Sequence, residues 1–164
     1  MPDIDKKLLL ALLKERLESE LERAHKRAKD AADGATHEEN RAEGDKDMRS
    51  TEASYVARGI SGRVAEMEEA LLRVSALELV SFPPGARIAV SALVELAQNG
   101  RHSQYFLVPA GGGERLNVAG VDVQTLTTQS PLGAVLLGLT EDDEAELPGR
   151  PGEPARVYDV LKVR

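Results

Sequence analysis

Apolar residues at helical spacing mark two segments in the first half of the chain. Within each segment they follow one another in steps of three or four residues. The first set is Leu10, Leu13, Leu17, Leu21, Ala24, Ala28 and Ala31, and the second is Val56, Ile60, Val64, Met67, Leu71 and Val74. Because this spacing places side chains on one face of an α-helix, each segment predicts an amphipathic helix.

A dense acidic segment from Asp33 to Asp47 separates the two predicted helices. Two amphipathic helices with a short connection bury their apolar stripes by packing antiparallel. The pattern therefore predicts a coiled-coil hairpin over residues 1–76, roughly 40 Å long at the rise of an α-helix. Its acidic tip is predicted at 33–50, with Thr36 and Glu39 forming a capping box at the start of a helical turn.

The second half of the chain has the alternation and turn residues of a β-sheet domain. Asn99-Gly100 predicts a hairpin turn, and Ser130-Pro131 predicts a short helix that Gly138 ends. Strands are predicted at Arg87 to Leu96, Gln104 to Val108, Val121 to Thr127 and Ala155 to Val163. The fold class is accordingly α+β, with a helical hairpin at 1–76, a linker at 77–84 and a small sheet domain at 85–164.

Composition narrows the functional classes. The formal net charge is −7, and each half is acidic, with 14 Lys+Arg against 17 Asp+Glu up to residue 76 and 7 against 11 after it. Neither half has the basic excess of a free duplex-DNA binder, so we expect nucleic acid to be met through a protein partner. The absence of cysteine fits a reducing compartment. The apolar run Leu8 to Leu13 is too short to span a bilayer, so we expect a cytoplasmic protein with no membrane partner.

Several motifs resemble the Gre family of bacterial transcript-cleavage factors. The segment Ser130-Pro131-Leu132-Gly133-Ala134-Val135-Leu136-Leu137-Gly138 is similar to the family's SPLGRALLG signature. Arg156-Val157-Tyr158-Asp159-Val160 is similar to its closing strand. In the first half, Glu39-Asn40 resembles the end of the family's D-L-x-E-N tip, and Gly62-Arg63-Val64 resembles the G-R-I of its second helix.

The resemblance implies a coiled-coil finger and an FKBP-like C-terminal domain. It implies that RNA polymerase core is the partner, that the finger enters the secondary channel, and that the nascent RNA 3′ end is met there. Tip carboxylates would help to hold a second Mg²⁺ that activates water for cleavage of backtracked RNA. The protein would have no cofactor of its own, would share Mg²⁺ with the polymerase, and would act as a monomeric accessory factor rather than an enzyme.

The acidic tip departs from the family pattern. Thr36 stands where the family has its Asp, and about seven further residues separate Glu39-Asn40 from Gly62-Arg63-Val64. Hard divalent cations prefer carboxylate oxygens, so the remaining acids are candidates to replace the missing ligand. The candidates to assist catalysis are Glu38, Glu39 and Glu43, and the candidate Mg²⁺ ligands are Glu39, Asp45 and Asp47. Glu39 as a purely structural cap is the alternative.

Two other sets of residues are candidates for contacts with partners. Ser130, Pro131, Leu132 and Gly133, together with the acidic turn Glu141 to Glu146, are predicted to dock on the polymerase. For Ser130 and Pro131, a purely structural role at a helix start is the alternative. Arg23, Lys26, Arg27 and Lys29 form a basic cluster that either contacts nucleic-acid phosphates or is an ordinary solvated helix face.

Three other functions stay open on the sequence. The first is a regulator that occupies the secondary channel without supporting cleavage, which Thr36 favours. The second is a coiled-coil adaptor that associates with itself. The third is an FKBP-like prolyl isomerase or chaperone. Its apolar pocket would need a lining of aromatic residues, and the second half of the chain offers only Phe82, Tyr105, Phe106 and Tyr158, which disfavours this function.

Overall fold

The computed structural model describes residues 3–41 and 48–164, and it describes side chains for 3–34 and 58–164. Two long helices come first, α1 at Lys6–Arg41 and α2 at Met48–Ser75. The strands that follow are β1 Leu93–Gln98, β2 Arg101–Val108, β3 Arg115–Val118, β4 Val121–Thr127, β5 Glu144–Leu147 and β6 Arg156–Val163. A short helix, α3 Pro131–Leu136, lies between β4 and β5. This helical region followed by a mixed sheet confirms the predicted α+β class.

The chain divides into two compact units. One contains Glu15–Leu72 and so includes most of α1 and most of α2. The other contains Met1–Lys14 and Arg73–Arg164, and so includes the whole sheet and α3. The domain boundaries near residues 76 and 84 stay a prediction.

In the helical unit, α1 and α2 pack against each other through the predicted apolar stripes. Leu17 and Ala24 of α1 and Val64 of α2 are all buried. His25 of α1 lies 3.2 Å from the carboxylate of Glu68 of α2, with both side chains about half exposed. Because exposed ion pairs contribute little to stability, burial of the stripes holds the pair of helices together.

Within the predicted acidic tip at 33–50, α1 continues to Arg41 and α2 begins at Met48, and the bounds of the tip stay a prediction. Gly34 and Thr36 are therefore interior positions of α1, and Thr36 is not the N-cap of a separate helical turn. A single glycine in a helix costs about 1 kcal/mol, which flanking helix-forming residues such as Ala31 and Ala32 offset. Residues 42–47 of the predicted tip lie outside the described part of the chain.

The sheet unit is built on six strands in the order β3-β4-β2-β1-β6-β5. All neighbouring pairs are antiparallel except β2 and β4, which are parallel. Asn99 and Gly100 form the turn between β1 and β2 with φ values of 49° and 76°. Two positive φ values are what a two-residue hairpin turn requires, so the predicted Asn-Gly turn is confirmed.

The predicted strand Val121–Thr127 is β4, and the predicted strands near residues 104–108 and 155–163 are confirmed within β2 and β6. The expected strand over 87–96 is wrong for its first six residues, since β1 begins at Leu93. Ser91 has a φ of 74°, which breaks an extended ladder at that point. Part of the predicted acidic turn at 141–146 is strand β5.

One face of the sheet packs against α3 to form an apolar core. Fully or nearly buried side chains of this core include Val94, Leu96, Leu107, Leu136 and Val160. The start of α1 is tied to the same unit by Lys6, whose Nζ donates to the backbone oxygens of Val80 (2.5 Å), Ser91 (2.9 Å) and Arg164 (3.2 Å).

Candidate functional site

The structure does not test the predicted tip carboxylates. Glu38 and Glu39 lie in the last two turns of α1, and their side chains are outside the described part. Glu43, Asp45 and Asp47 fall in residues 42–47, which are outside it as well. Their roles in catalysis and Mg²⁺ binding stay predictions.

The predicted basic cluster lies on α1 within the helical unit, and all four side chains are exposed. Arg23 precedes Lys26 by three residues and Arg27 by four, so these three share one side of the helix. Lys29 lies about 120° around the helix axis from Arg23 at 100° per residue. The exposure leaves the cluster accessible to phosphate and is equally typical of a solvated helix face.

The predicted docking segment begins α3, and the structure explains two of its residues locally. The Oγ of Ser130 accepts a hydrogen bond from the N–H of Gly133 at 3.1 Å and donates to the carbonyl of Thr127 at 2.7 Å. Pro131 occupies the first turn, where no N–H is needed. The predicted helix start is therefore confirmed.

Gly133 is buried at a close approach between α3 and the end of β4. A Cβ atom built at this position would lie 1.9 Å from the backbone oxygen of Thr127. Only glycine fits without moving the backbone. In the same segment Pro131 is exposed and both Ser130 and Leu132 are half-buried, so Pro131 presents most of the accessible surface of the segment.

Beside α3, the same face of the sheet carries an open groove made of two adjoining clefts. A cleft of about 530 Å³ is lined by residues of the β1–β2 hairpin, including Arg101 and Ser103. A cleft of about 300 Å³ is lined by residues around the start of α3, including Leu132 and Arg156. Tyr105 and Tyr158 line both clefts and so join them. We call the whole of this feature the tyrosine groove.

Strand register explains why these side chains converge. Arg101, Ser103 and Tyr105 are alternate residues of β2 and so point to one face of the sheet. On β6, Arg156 and Tyr158 face the same way, because they pair with the core residues Leu147 and Ala145 of β5. The residues come from distant parts of the chain, so the sequence prediction missed the groove. Of the aromatic residues considered for an isomerase pocket, Phe106 is fully buried. It follows Tyr105 on β2 and so faces the opposite side of the sheet from the groove.

Electrostatics make the tyrosine groove a hydrogen-bond donor site. Burial raises the pKa of Tyr105, and the neighbouring Tyr158 raises this pKa further; smaller opposing effects come from a hydrogen bond with Ser103 and from the charges of Arg156 and Arg115. The hydroxyl of Tyr105 is thus protonated at neutral pH and can donate. Arg101 and Arg156 are exposed and form no ion pair with any residue of the described chain.

The opposite face of the sheet carries a buried carboxylate, Glu95, with an exposure of 7%. Its Oε1 lies 2.9 Å from Nδ1 of His102, and its Oε2 lies 3.9 Å from the guanidinium of Arg164. Burial raises the pKa of Glu95, but hydrogen bonds from His102 and Gln104 and the charges of His102 and Arg164 outweigh it, so the pKa is lowered. The carboxylate is thereby held ionised.

Two classes of site are missing from the described residues. Among residues 3–34 and 58–164, His, Asp and Glu form no group of three or more that could hold a metal ion. None of the described helices combines the length and apolar character needed to cross a membrane.

Comparison with known proteins places the chain near one class, the bacterial transcription elongation factors. No family model matches the chain. A curated relative is the transcription elongation factor GreA of Hyphomonas neptunium, 31% identical over 104 residues, which are 63% of this chain and 62% of the relative. The matched region thus spans less than two thirds of the relative's length. This similarity supports the resemblance to the Gre family.

Solved structures of GreA/GreB and of the GreA factor homolog Gfh1 are similar in sequence at a lower level. Gfh1 of Thermus thermophilus is 22% identical, with 92% of this chain and 94% of that chain covered and a TM-score of 0.38. Gfh1 of Thermus aquaticus is 20% identical, with 92% of each chain covered and a TM-score of 0.40. A GreA/GreB factor of Nitrosomonas europaea is 18% identical, covering 69% of this chain and 91% of that chain, with a TM-score of 0.36.

Proposed function

We propose that this protein is a Gre-like accessory factor that binds core RNA polymerase through the secondary channel and stimulates cleavage of backtracked RNA. The observation that carries the proposal is the 31% identity to a GreA factor. Two further features support the proposal. The helices α1 and α2 precede the sheet unit, and within that unit α3 starts at Ser130-Pro131-Leu132-Gly133. A role in transcription also implies a cytoplasmic protein, and we expect it to act as a monomer.

In the proposed cleavage of backtracked RNA, this chain would contribute only carboxylate ligands for one of two metal ions. Two metal ions about 3.5 to 4 Å apart stabilise the attacking and leaving oxygens in many phosphoryl transfers. The polymerase would supply the first metal ion, and carboxylates from Glu38, Glu39, Glu43, Asp45 and Asp47 would help to hold a second Mg²⁺. The acids therefore need only to reach the active centre with their oxygens free.

The test is RNA shortening in a purified backtracked elongation complex with the factor at saturation. We expect the wild-type chain to accelerate shortening, and we expect Glu39→Gln combined with Asp45→Asn and Asp47→Asn to slow it by about 10²-fold, because several charged ligands of the metal are lost. Raising the Mg²⁺ concentration should partly restore the rate. The matched control is Glu22→Gln, an exposed carboxylate on α1.

Two results would contradict this proposal at different levels. If the wild-type factor binds core polymerase but the RNA shortens only at the intrinsic rate, cleavage is wrong and docking stands. If the factor fails to bind core polymerase in a pull-down, both are wrong.

A second candidate is a regulator that occupies the secondary channel without supporting cleavage. Thr36 favours it, because this position is an acid in the family pattern that the chain otherwise resembles. The discriminating variant is Thr36→Asp. If the natural tip lacks one carboxylate, Thr36→Asp should add cleavage activity to a protein that binds polymerase but does not cut.

The remaining predicted contacts follow from the same proposal. Pro131 and Leu132 present the accessible part of the docking segment, whereas Ser130 and Gly133 shape it. Arg23, Lys26, Arg27 and Lys29 would lie near the nascent RNA. Crosslinking from the RNA 3′ end in the elongation complex tests this placement, with Arg63 of α2 as the exposed basic control.

A further inference from the structure

We infer that the tyrosine groove binds an acidic peptide segment that carries an apolar side chain. The inference deepens the proposed function and rests on it for the source of the segment, which would be the polymerase. Binding of such a segment is a property of the sheet unit alone.

The first argument is charge. None of the described residues that line the two clefts is acidic, although the protein has 28 Asp+Glu against 21 Lys+Arg. Arg101 lines one cleft and Arg156 the other, and neither is neutralised by a described residue. A groove with two such guanidinium groups on an acidic protein selects carboxylates, because charge-assisted hydrogen bonds of arginine to carboxylates are among the strongest available.

The positions of the acidic residues on β5 and β6 support the same conclusion. On β5, Glu144 and Glu146 are exposed while Ala145 and Leu147 are buried in the core. Alternation along the strand therefore turns the acids away from the groove. Asp159 pairs with Glu144 and shares that opposite side. These carboxylates, which would repel an acidic ligand, thus lie on the face that does not hold the groove.

The second argument is hydrogen-bonding capacity. Arginine has five N–H donors, and the hydroxyl of a protonated tyrosine adds one. Tyr158 and Tyr105 sit between the two arginines, and side-chain amides of Gln98 and Asn99 line the outer end. Donors thus exceed acceptors along the groove, as recognition of carboxylate and carbonyl oxygens requires.

The third argument is the apolar inner end, which favours peptide over nucleic acid. Leu126, Leu132 and Leu147 line the cleft beside α3. An aliphatic side chain gains free energy by leaving water there, whereas a sugar-phosphate chain has no such group to bury. Tyr158 is 7% exposed, so its ring offers little face for a base to stack on.

The test is fluorescence polarisation of a fluorescein-labelled peptide with a central leucine flanked on both sides by glutamates. We expect saturable binding to the full chain. The double variant Arg101→Gln and Arg156→Gln should bind it about tenfold weaker or worse for each arginine lost. The matched control is Arg150→Gln, an exposed arginine outside the groove. Equal unfolding midpoints for the variants and the wild type establish that the fold is intact.

Two further probes test the chemistry. The same peptide with glutamines in place of the glutamates should lose most of the binding, and the variant Tyr105→Phe should weaken binding while leaving the sheet folded. Binding that is unchanged in the double arginine variant overturns the inference. So does a labelled oligouridylate of equal charge that binds through the two arginines when the peptide does not.

Polymerase binding separates this inference from the proposed function. Peptide binding without capture of core polymerase supports the groove and removes the proposed function. Capture of polymerase by the double arginine variant at wild-type affinity, together with no peptide binding, removes the groove and leaves the proposed function standing.

Discussion

At the scale of residues, the segment that carries most of the Gre resemblance has a largely structural explanation. Ser130 satisfies the exposed N–H of Gly133, and Pro131 begins α3 at a position suited to its fixed φ. Gly133 allows the helix to approach the carbonyl of Thr127. Ser130 and Gly133 therefore have a structural role where α3 follows β4, while the exposed Pro131 and the half-buried Leu132 are accessible to a partner.

The variant Gly133→Ala tests the close approach. Because the new Cβ would overlap the oxygen of Thr127, we expect the free energy of unfolding to fall by about 2 kcal/mol, as for overpacked cores. Urea denaturation followed by circular dichroism measures it. The control is Ala134→Ser, an exposed change on the same helix that should cost less than about 0.5 kcal/mol. Equal stability of Gly133→Ala and wild type would show that α3 is not held against Thr127.

At the scale of elements, the sequence predicted those helices, strands and turns whose characteristic residues lie close together along the chain. The Asn99-Gly100 turn and the start of α3 depend on residues within a few positions of each other, and β4 alternates over its seven residues. Strands β3 and β5 were missed because each has four residues and only two buried side chains. Two alternating apolar residues are too few to stand out from a loop.

The two candidate sites, the acidic tip and the tyrosine groove, also differ in how far the sequence predicts them. The acids of the tip follow one another closely along the chain, so the order of residues is enough to identify them as a cluster. The tyrosine groove has no such local signal, because Arg101 and Tyr105 on β2 meet Tyr158 on β6 only through the pairing of both strands with β1. Local periodicity predicts single strands, but it does not predict which distant strands pair with each other.

The packing of α1 against α2 predicts the effect of filling the space at Ala24, which is 1% exposed. The larger side chain of Ala24→Leu would force the helices apart, so we expect a loss of about 1–3 kcal/mol in the free energy of unfolding. The matched control is Ala65→Leu, an exposed alanine on α2. Thermal unfolding followed by helical circular dichroism compares them. A variant Ala24→Leu as stable as Ala65→Leu would contradict the described packing.

At the scale of the whole molecule, the net charge of −7 is unevenly placed. The sheet unit turns Glu144, Glu146 and Asp159 to one side and the arginines of the tyrosine groove to the other. An acidic protein can thus attract an acidic segment locally, because screening at physiological salt limits distant charges to about 8 Å. Specificity would come from the groove rather than from the overall charge.

The ionised carboxylate of Glu95 is expected to make the free energy of unfolding fall in acid. Its pKa in the folded state lies below the ordinary 4.5. Its contribution to the free energy of unfolding is therefore present at neutral pH and is lost as the pH falls below 4.5 and through the folded pKa. We expect Glu95→Gln to lower stability by about 1 kcal/mol at neutral pH and by less in acid.

Urea midpoints at neutral pH and near pH 3, below the usual range of Glu, measure the difference. The control Glu146→Gln, an exposed carboxyl on β5, should change neither midpoint appreciably. If Glu95→Gln loses as much stability in acid as at neutral pH, the ionised carboxylate is not what His102 and Arg164 stabilise.

The interior position of β6 in the sheet also constrains the order in which the strands can pair during synthesis. During synthesis β1 to β5 leave the ribosome before β6, yet β6 lies between β1 and β5 and pairs with both. Until β6 emerges, β5 has no strand to pair with and one edge of β1 is open. Open edges favour pairing with other chains. The sheet unit can therefore be completed only after β6 has emerged, and until then the open edge of β1 is available to neighbouring chains.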